Sequence, residues 1–350
     1  TGYVFGGSKG QVAFKKKDGD DLVDITDIHE QRYVEGLCDN VRETVVNVNY
    51  SSTPSGKNTS NIKDETNCIM GAVYGGGEGG HVYEDAAVNI TNGLIGLSVY
   101  GGGKGEGTYP GKLYALSTDG DGKLVAASTK SDVPKMPSWT AGKVYGNTSI
   151  TMSNGHVMGN VYGGGNLGSV GKGNYAGGTD DYYPAGYGET LQNAPLWSAT
   201  AGFDPNAEIT ESNKPSTMAD YFLSSGKCKI NITGGTVGTQ NGLYGNVQGT
   251  SKGTPTGIVF GGSRGRAAQD VGALSPRYDY APDFFLGYVN NTEVIIGTRN
   301  AETGPTIYSQ VFGGARDGHV RGSAKVEVNS CTIGQAYDET EAVGEADVDY

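Results

Sequence analysis

A four-residue signature, valine–aromatic–glycine–glycine, occurs six times in this chain, beginning at Val4, Val73, Val99, Val161, Val259 and Val311. Repetition at this scale constrains the fold more than any other feature. A unit so small cannot bury its own apolar side, and it gains stability by stacking on its neighbours. Most copies lead into a short Gly-x-Val piece, as in Gly10-Gln11-Val12, Gly80-His81-Val82, Gly168-Ser169-Val170 and Gly318-His319-Val320. An apolar-x-apolar segment follows: Val46-Asn47-Val48, Val88-Asn89-Ile90, Ile150-Thr151-Met152, Ile230-Asn231-Ile232, Val294-Ile295-Ile296 and Val326-Glu327-Val328. A turn, often Asn-Gly or Gly-Gly, then leads to the next copy.

Period-2 alternation broken by glycine predicts short strands joined by tight corners. The 60 glycines are far more than an average chain carries, yet they lack the every-third-residue period of collagen. The 22 tyrosines and the ordered valines and isoleucines argue against disorder. No long 3.6-residue period is present. The expected fold is all-β: a parallel β-helix (β-solenoid), right-handed by general preference, with about six coils of three short strands. Strand spacing of ~4.8 Å would make its core ~30 Å long. One domain is expected over residues 1–350, with insertions near 13–43, 50–67, 105–142, 171–226, 239–256 and 266–290, where Asp, Ser, Pro, Tyr and Lys replace the repeat. Within the third insertion, Asp119-Gly120-Asp121-Gly122 separates two alternating segments and predicts a β-hairpin.

The residues before each aromatic, such as Ile69-x-Gly71-x-Val73 and Ile95-x-Leu97-x-Val99, alternate in phase with the valine. An unbroken strand would point the valine inward and the ring outward. Phe5, Tyr74, Tyr100, Tyr162, Phe260 and Phe312 would form an aromatic column, with Tyr74, Tyr100 and Tyr162 as candidate stacking platforms for sugar rings. Burial of the rings, by a corner that flips the parity or by covering insertions, is the competing structural reading. After the glycines comes a second column: Lys9, Glu78, Lys104, Asn166, Arg264 and Arg316. Its basic members Lys104, Arg264 and Arg316 are candidate contacts for an anionic polysaccharide, against the plainer reading of solvated turns. Asn47, Asn89 and Asn231 occupy equivalent strand positions suited to a hydrogen-bonded ladder.

A net charge of −12 and a pI near 4.8 argue against a nucleic-acid partner, which requires a basic face. No apolar run reaches the ~20 residues of a membrane-spanning helix. Cys38, Cys68, Cys228 and Cys331 are widely spaced, without metal-ligand spacing. A Cys38–Cys68 disulfide and separate free thiols both remain open. Asp18, Asp20, Asp119 and Asp121 are candidate Ca²⁺ ligands; no other cofactor is indicated. The Asp119–Asp121 stretch has serines at the two ends where a calcium loop needs carboxylates, so a hairpin turn explains it better. Glu84, Asp85, Asp317, His319 and Arg321 are the residues a polysaccharide lyase or hydrolase would use, but they fall in the second and sixth repeats. Catalysis is not expected.

Val73-Tyr74-Gly75-Gly76-Gly77, Val99-Tyr100-Gly101-Gly102-Gly103 and Val161-Tyr162-Gly163-Gly164-Gly165, with Val88-Asn89-Ile90-Thr91-Asn92-Gly93, resemble glycine-rich repeats of large bacterial cell-surface, adhesin-like proteins. Those repeats are similar to the pectin-lyase-like β-helix and to the GGA-type repeats of polymorphic outer-membrane proteins. The likeness covers the repeat core alone and transfers no catalytic residue. It implies an extracellular or cell-surface location and a structural or adhesive, fibre-like role. The expected partners are further repeats of the same chain or head-to-tail copies of it. Carbohydrate binding at the cell surface is the second reading, and a polysaccharide lyase or hydrolase the third.

Overall fold

The computed structural model describes residues 2–10, 15–19, 21–24, 41–51, 68–106, 108–118, 124–137, 141–171, 225–239, 243–244, 254–266 and 286–334. The protein is all-β, with no helix among the described residues. Six successive passes of the chain lay their strands on one another in three long parallel sheets.

The first sheet is the valine–aromatic motif itself. Val4–Phe5, Val73–Tyr74, Val99–Tyr100, Val161–Tyr162, Val259–Phe260 and Val311–Phe312 pair in that order, valine on valine and ring on ring. The second sheet holds the apolar-x-apolar segments as Thr44–Asn49, Ala86–Asn92, Thr148–Met152, Lys227–Ile232, Asn291–Ile296 and Ala324–Val328. The third comprises Leu94–Ile95, His156–Val157, Thr236–Val237, Thr306–Ile307 and Thr332–Ile333, with Ile69 bridged to Ile95. A narrower column runs between the first and second sheets through Val41, Val82, Val144, Val170, Val289 and Val320.

Each pass therefore has four stations, where three strands were expected. Ile95 and Val99 alternate in sequence but belong to different sheets, because the chain bends at 96–98. Both still face the same interior. Val73, Val99, Val161 and Val259 from the first sheet, Val88, Ile150, Ile230 and Val294 from the second, and Ile95, Val157, Val237 and Ile307 from the third form one apolar cluster. Every one of these residues is buried, which is worth roughly 1.5–3 kcal/mol per side chain.

The first glycine of the motif has a steric purpose. A Cβ on Gly101 would stand 2.2 Å from the Gly163 carbonyl oxygen, and one on Gly163 would stand 2.1 Å from that of Gly261. Neither glycine has a positive φ; what each supplies is room for the next layer's backbone. The carbonyls are also satisfied from across the interior. Thr44, Thr148 and Thr292 donate their hydroxyls to the carbonyls of Gly75, Gly163 and Gly313 at 2.7, 2.6 and 2.5 Å. The corner glycine is the later one: Gly10, Gly105 and Gly265 have φ of 80°, 71° and 71°.

Three insertions contribute described antiparallel pairs. Lys15–Asp18 pairs with Asp21–Asp24, Thr108–Thr118 pairs with Leu124–Pro137 from Thr118↔Leu124 onward, and Leu243–Tyr244 pairs with Thr254–Pro255. The second is the hairpin anticipated around residues 119–122. No helix among the described residues is long and apolar enough to cross a membrane.

Candidate functional site

The aromatic column is a continuous stack on the side of the first sheet opposite the valines. Phe5, Tyr74, Tyr100, Tyr162, Phe260 and Phe312 follow one another at centroid distances of 4.9, 4.6, 4.9, 5.1 and 5.2 Å, with interplanar angles of 12°, 3°, 5°, 5° and 9°. In-register parallel pairing imposes that spacing. Tyr74, Tyr100, Tyr162 and Phe260 are buried and pack with Ala72, Leu97 and Ile258 in a second apolar cluster. Burial raises the Tyr74 phenol far above its ordinary range, and the neighbouring Tyr100 adds to the effect. Each middle ring has a neighbour on both faces, so neither face of Tyr100 or Tyr162 is open to a sugar. Tyr3 flanks the first two rings, 6.3 Å from Phe5 and 6.4 Å from Tyr74, and the Lys104 ammonium stands 5.7 Å from its centroid.

The second column is also built layer on layer, through Lys104 N to Gly77 O, Asn166 N to Gly103 O, Arg264 N to Gly165 O and Arg316 N to Ser263 O. Its side chains form a mixed-charge chain. Lys104 Nζ lies 3.2 Å from Glu78 Oε1 and 3.0 Å from Glu106 Oε2. Asn166 Nδ2 donates to Glu106 Oε1 at 2.8 Å, and Arg264 Nη1 donates to Asn166 Oδ1 at 3.0 Å. Arg316 Nε pairs with Asp317 Oδ2 at 3.2 Å. Partial burial works against the Lys104 charge, but the hydrogen bonds and charges of Glu106 and Glu78 outweigh it and raise the ammonium's pKa. Sequence reasoning missed Glu106. It sits outside the six-fold motif, and only the layer above shows what it joins.

Along the exposed side of the second sheet, Asn89 Nδ2 donates to Asn47 Oδ1 at 2.9 Å and the Thr151 hydroxyl donates to Asn89 Oδ1 at 2.7 Å. Thr151 stands between Asn89 and Asn231 in register, so the expected asparagine ladder is a mixed one. Further along, Lys227 and Lys325 flank Glu293 at 2.6 and 3.2 Å, and their hydrogen bonds hold its carboxyl below the usual range.

An open depression of about 350 Å³ is lined by Glu43, Tyr83, Glu84, Asp85 and Gly146. Two of its acids are engaged: Glu84 accepts from Arg42 Nε at 2.7 Å, and Asp85 Oδ1 accepts from the backbone N and Nδ2 of Asn147 at 2.7 and 3.1 Å. Tyr83 stacks on Tyr145 at 5.6 Å. Glu84 and Asp85 belong to the second pass, whereas Asp317 and His319 belong to the sixth, four layers or about 19 Å away. The structure does not bring these two groups together.

Of the candidate calcium ligands, Asp18 ends its strand in register with Asp21. Asp20, Asp119 and Asp121 lie outside the described residues, as does Cys38. Cys228 and Cys331 are free thiols. Searches found no matching family model, curated protein or solved structure.

Proposed function

We propose that the six passes are coils of one right-handed parallel β-helix spanning the chain, and that it serves as a non-catalytic structural or adhesive element on the outside of a bacterial cell. Closure of each coil is supported by the fixed order in which the chain visits the stations and by the single apolar cluster the three sheets share. Right-handedness follows from the strong preference of parallel strand crossovers. The location rests on the likeness of the Val-Tyr-Gly-Gly-Gly repeats to those of surface adhesin-like chains.

The observation that carries the structural role is the employment of the repeat's side chains. The aromatic stack, the Lys104–Glu106–Asn166–Arg264 chain and the Asn47–Asn89–Thr151 ladder each join one layer to the next. These side chains hold a stack together. Immunogold labelling and protease shaving of the source cells test the location, with label expected on intact cells and lost after shaving. Label confined to the cell interior would refute the surface role. Chain-coated beads test adhesion: retention on host glycoproteins or on other cells is expected, and retention no greater than for albumin beads would leave scaffolding as the role.

A further inference from the structure

His156, in the third pass, holds the point where the fourth pass leaves the stack. Its Nε2 lies 2.6 Å from the carbonyl oxygen of Gly238. A carbonyl only accepts, so in the neutral ring Nε2 carries the proton and Nδ1 is the basic nitrogen. The chain departs after Gly238 into the insertion 239–256 and returns at Gly257. A Cβ on Gly238 would stand 2.3 Å from the Gly257 Cα, so the two ends of the insertion meet at the residue that His156 holds. The ring is half-buried, in register between Leu94 and Thr236. Neither neighbouring strand, Leu94–Ile95 or Thr236–Val237, carries a titratable side chain. Of the six insertions, 239–256 alone contains no aspartate or glutamate, and its one charged residue is Lys252. A proton on Nδ1 would place a cation in a half-buried site, against a segment that has no carboxylate to pair with it. Burial already holds the His156 pKa below its ordinary 6.5, outweighing the Gly238 carbonyl, which acts the other way.

We propose that His156 is an acid-sensitive clasp on the base of this insertion: the neutral ring fastens Gly238 to the third pass, and the protonated ring turns out to water and releases it. The folded site favours the neutral ring, so the clasp is complete above about pH 6.5 and weakens as the pH falls below that value. The opening is local. The apolar interior beneath it, Val157 and Val237, contains nothing that titrates. The clasp is independent of the surface role proposed above.

Native-state hydrogen exchange of the 350-residue chain at pH 7.5 and pH 5, corrected for the intrinsic rate at each pH, tests it. The reporting amides are those of Gly238 and Gly257, which donate to the carbonyls of Val157 and Gly159 at 2.7 and 3.1 Å. Ile150 and Thr151, in the second sheet of the same pass, are the reference. At pH 5 the reporting amides should open several-fold more often, with the reference unchanged. His156→Gln keeps an N–H donor and does not titrate, so it should show the same protection at both pH values. His156→Leu has neither donor nor charge and should expose Gly238 at both. Constant protection of Gly238 in the unsubstituted chain overturns the proposal. So does an equal loss in His156→Gln, or an equal loss at Ile150 and Thr151, which would be acid unfolding of the whole stack. Comparing Gly238 with Ile150 within the unsubstituted chain decides the matter even where a variant does not fold.

Discussion

At Gly101 the missing side chain is what lets one layer approach the next. The nearest atom to an added Cβ is a backbone oxygen 2.2 Å away, which cannot rotate aside. Gly101→Ala is therefore expected to cost at least about 1–3 kcal/mol, read from urea unfolding, as overpacking does in a rigid interior. An unchanged midpoint would show that the layers can separate without penalty. Thr148→Val keeps the shape but leaves the Gly163 carbonyl without its hydroxyl donor, and about 1–3 kcal/mol should be lost in the same assay. Cys228 faces this carbonyl column. Burial lifts its thiol from 9.0 to about 12. Because the folded chain favours the neutral thiol, this contribution is complete below about pH 9 and is lost as pH rises from 9 toward 12. Cys228→Ala should flatten the fall in stability over that window; an equal slope in both proteins would refute the assignment. A thiol reagent at pH 8 should modify Cys331 in the folded protein and Cys228 only after unfolding.

At the scale of elements, the aromatic ladder stabilises through area and stacking, with little demand on the hydroxyls. The Tyr162 hydroxyl has a long 3.4 Å contact from Asn160 Nδ2, and phenylalanine fills the same station at Phe260 next in the stack. Tyr162→Phe is expected to change stability by less than about 1 kcal/mol, whereas Tyr162→Ala removes a ring with neighbours on both faces and should cost about 3–5 kcal/mol. Equal losses would mean that the hydroxyl, and not the stack, holds the layers. The six motifs were legible in sequence because each carries its whole signature in four contiguous residues, which insertions between copies leave intact. The separate third sheet was not. Ile95, Val157 and Ile307 each stand four residues before a motif valine and in phase with it, so the two read as one strand, and only the bend between them divides it into two.

At the scale of the stack, cohesion by nearest neighbours implies lower stability in a pass with a described neighbour on one side only. Middle passes have neighbours above and below, while the strand Ala324–Val328 is exposed throughout. Native-state hydrogen exchange of this chain should protect amides of Thr148–Met152 and Val161–Tyr162 far more strongly than those of Ala324–Val328. Uniform protection along the stack would mean that it opens only as one unit.

The sequence by itself determined the all-β class and the valine-on-valine layering, since alternation and repetition are local properties that stacking preserves. Tertiary structure decided which candidate side chains remain accessible. Burial of Tyr100, the sharing of Lys104 between Glu78 and Glu106, and the distance from Asp85 to Asp317 all depend on what the neighbouring layers bring. A parallel stack joins residues that lie from 26 to nearly 100 positions apart, such as Tyr74 with Tyr100 and Tyr162 with Phe260, and no local pattern records those meetings.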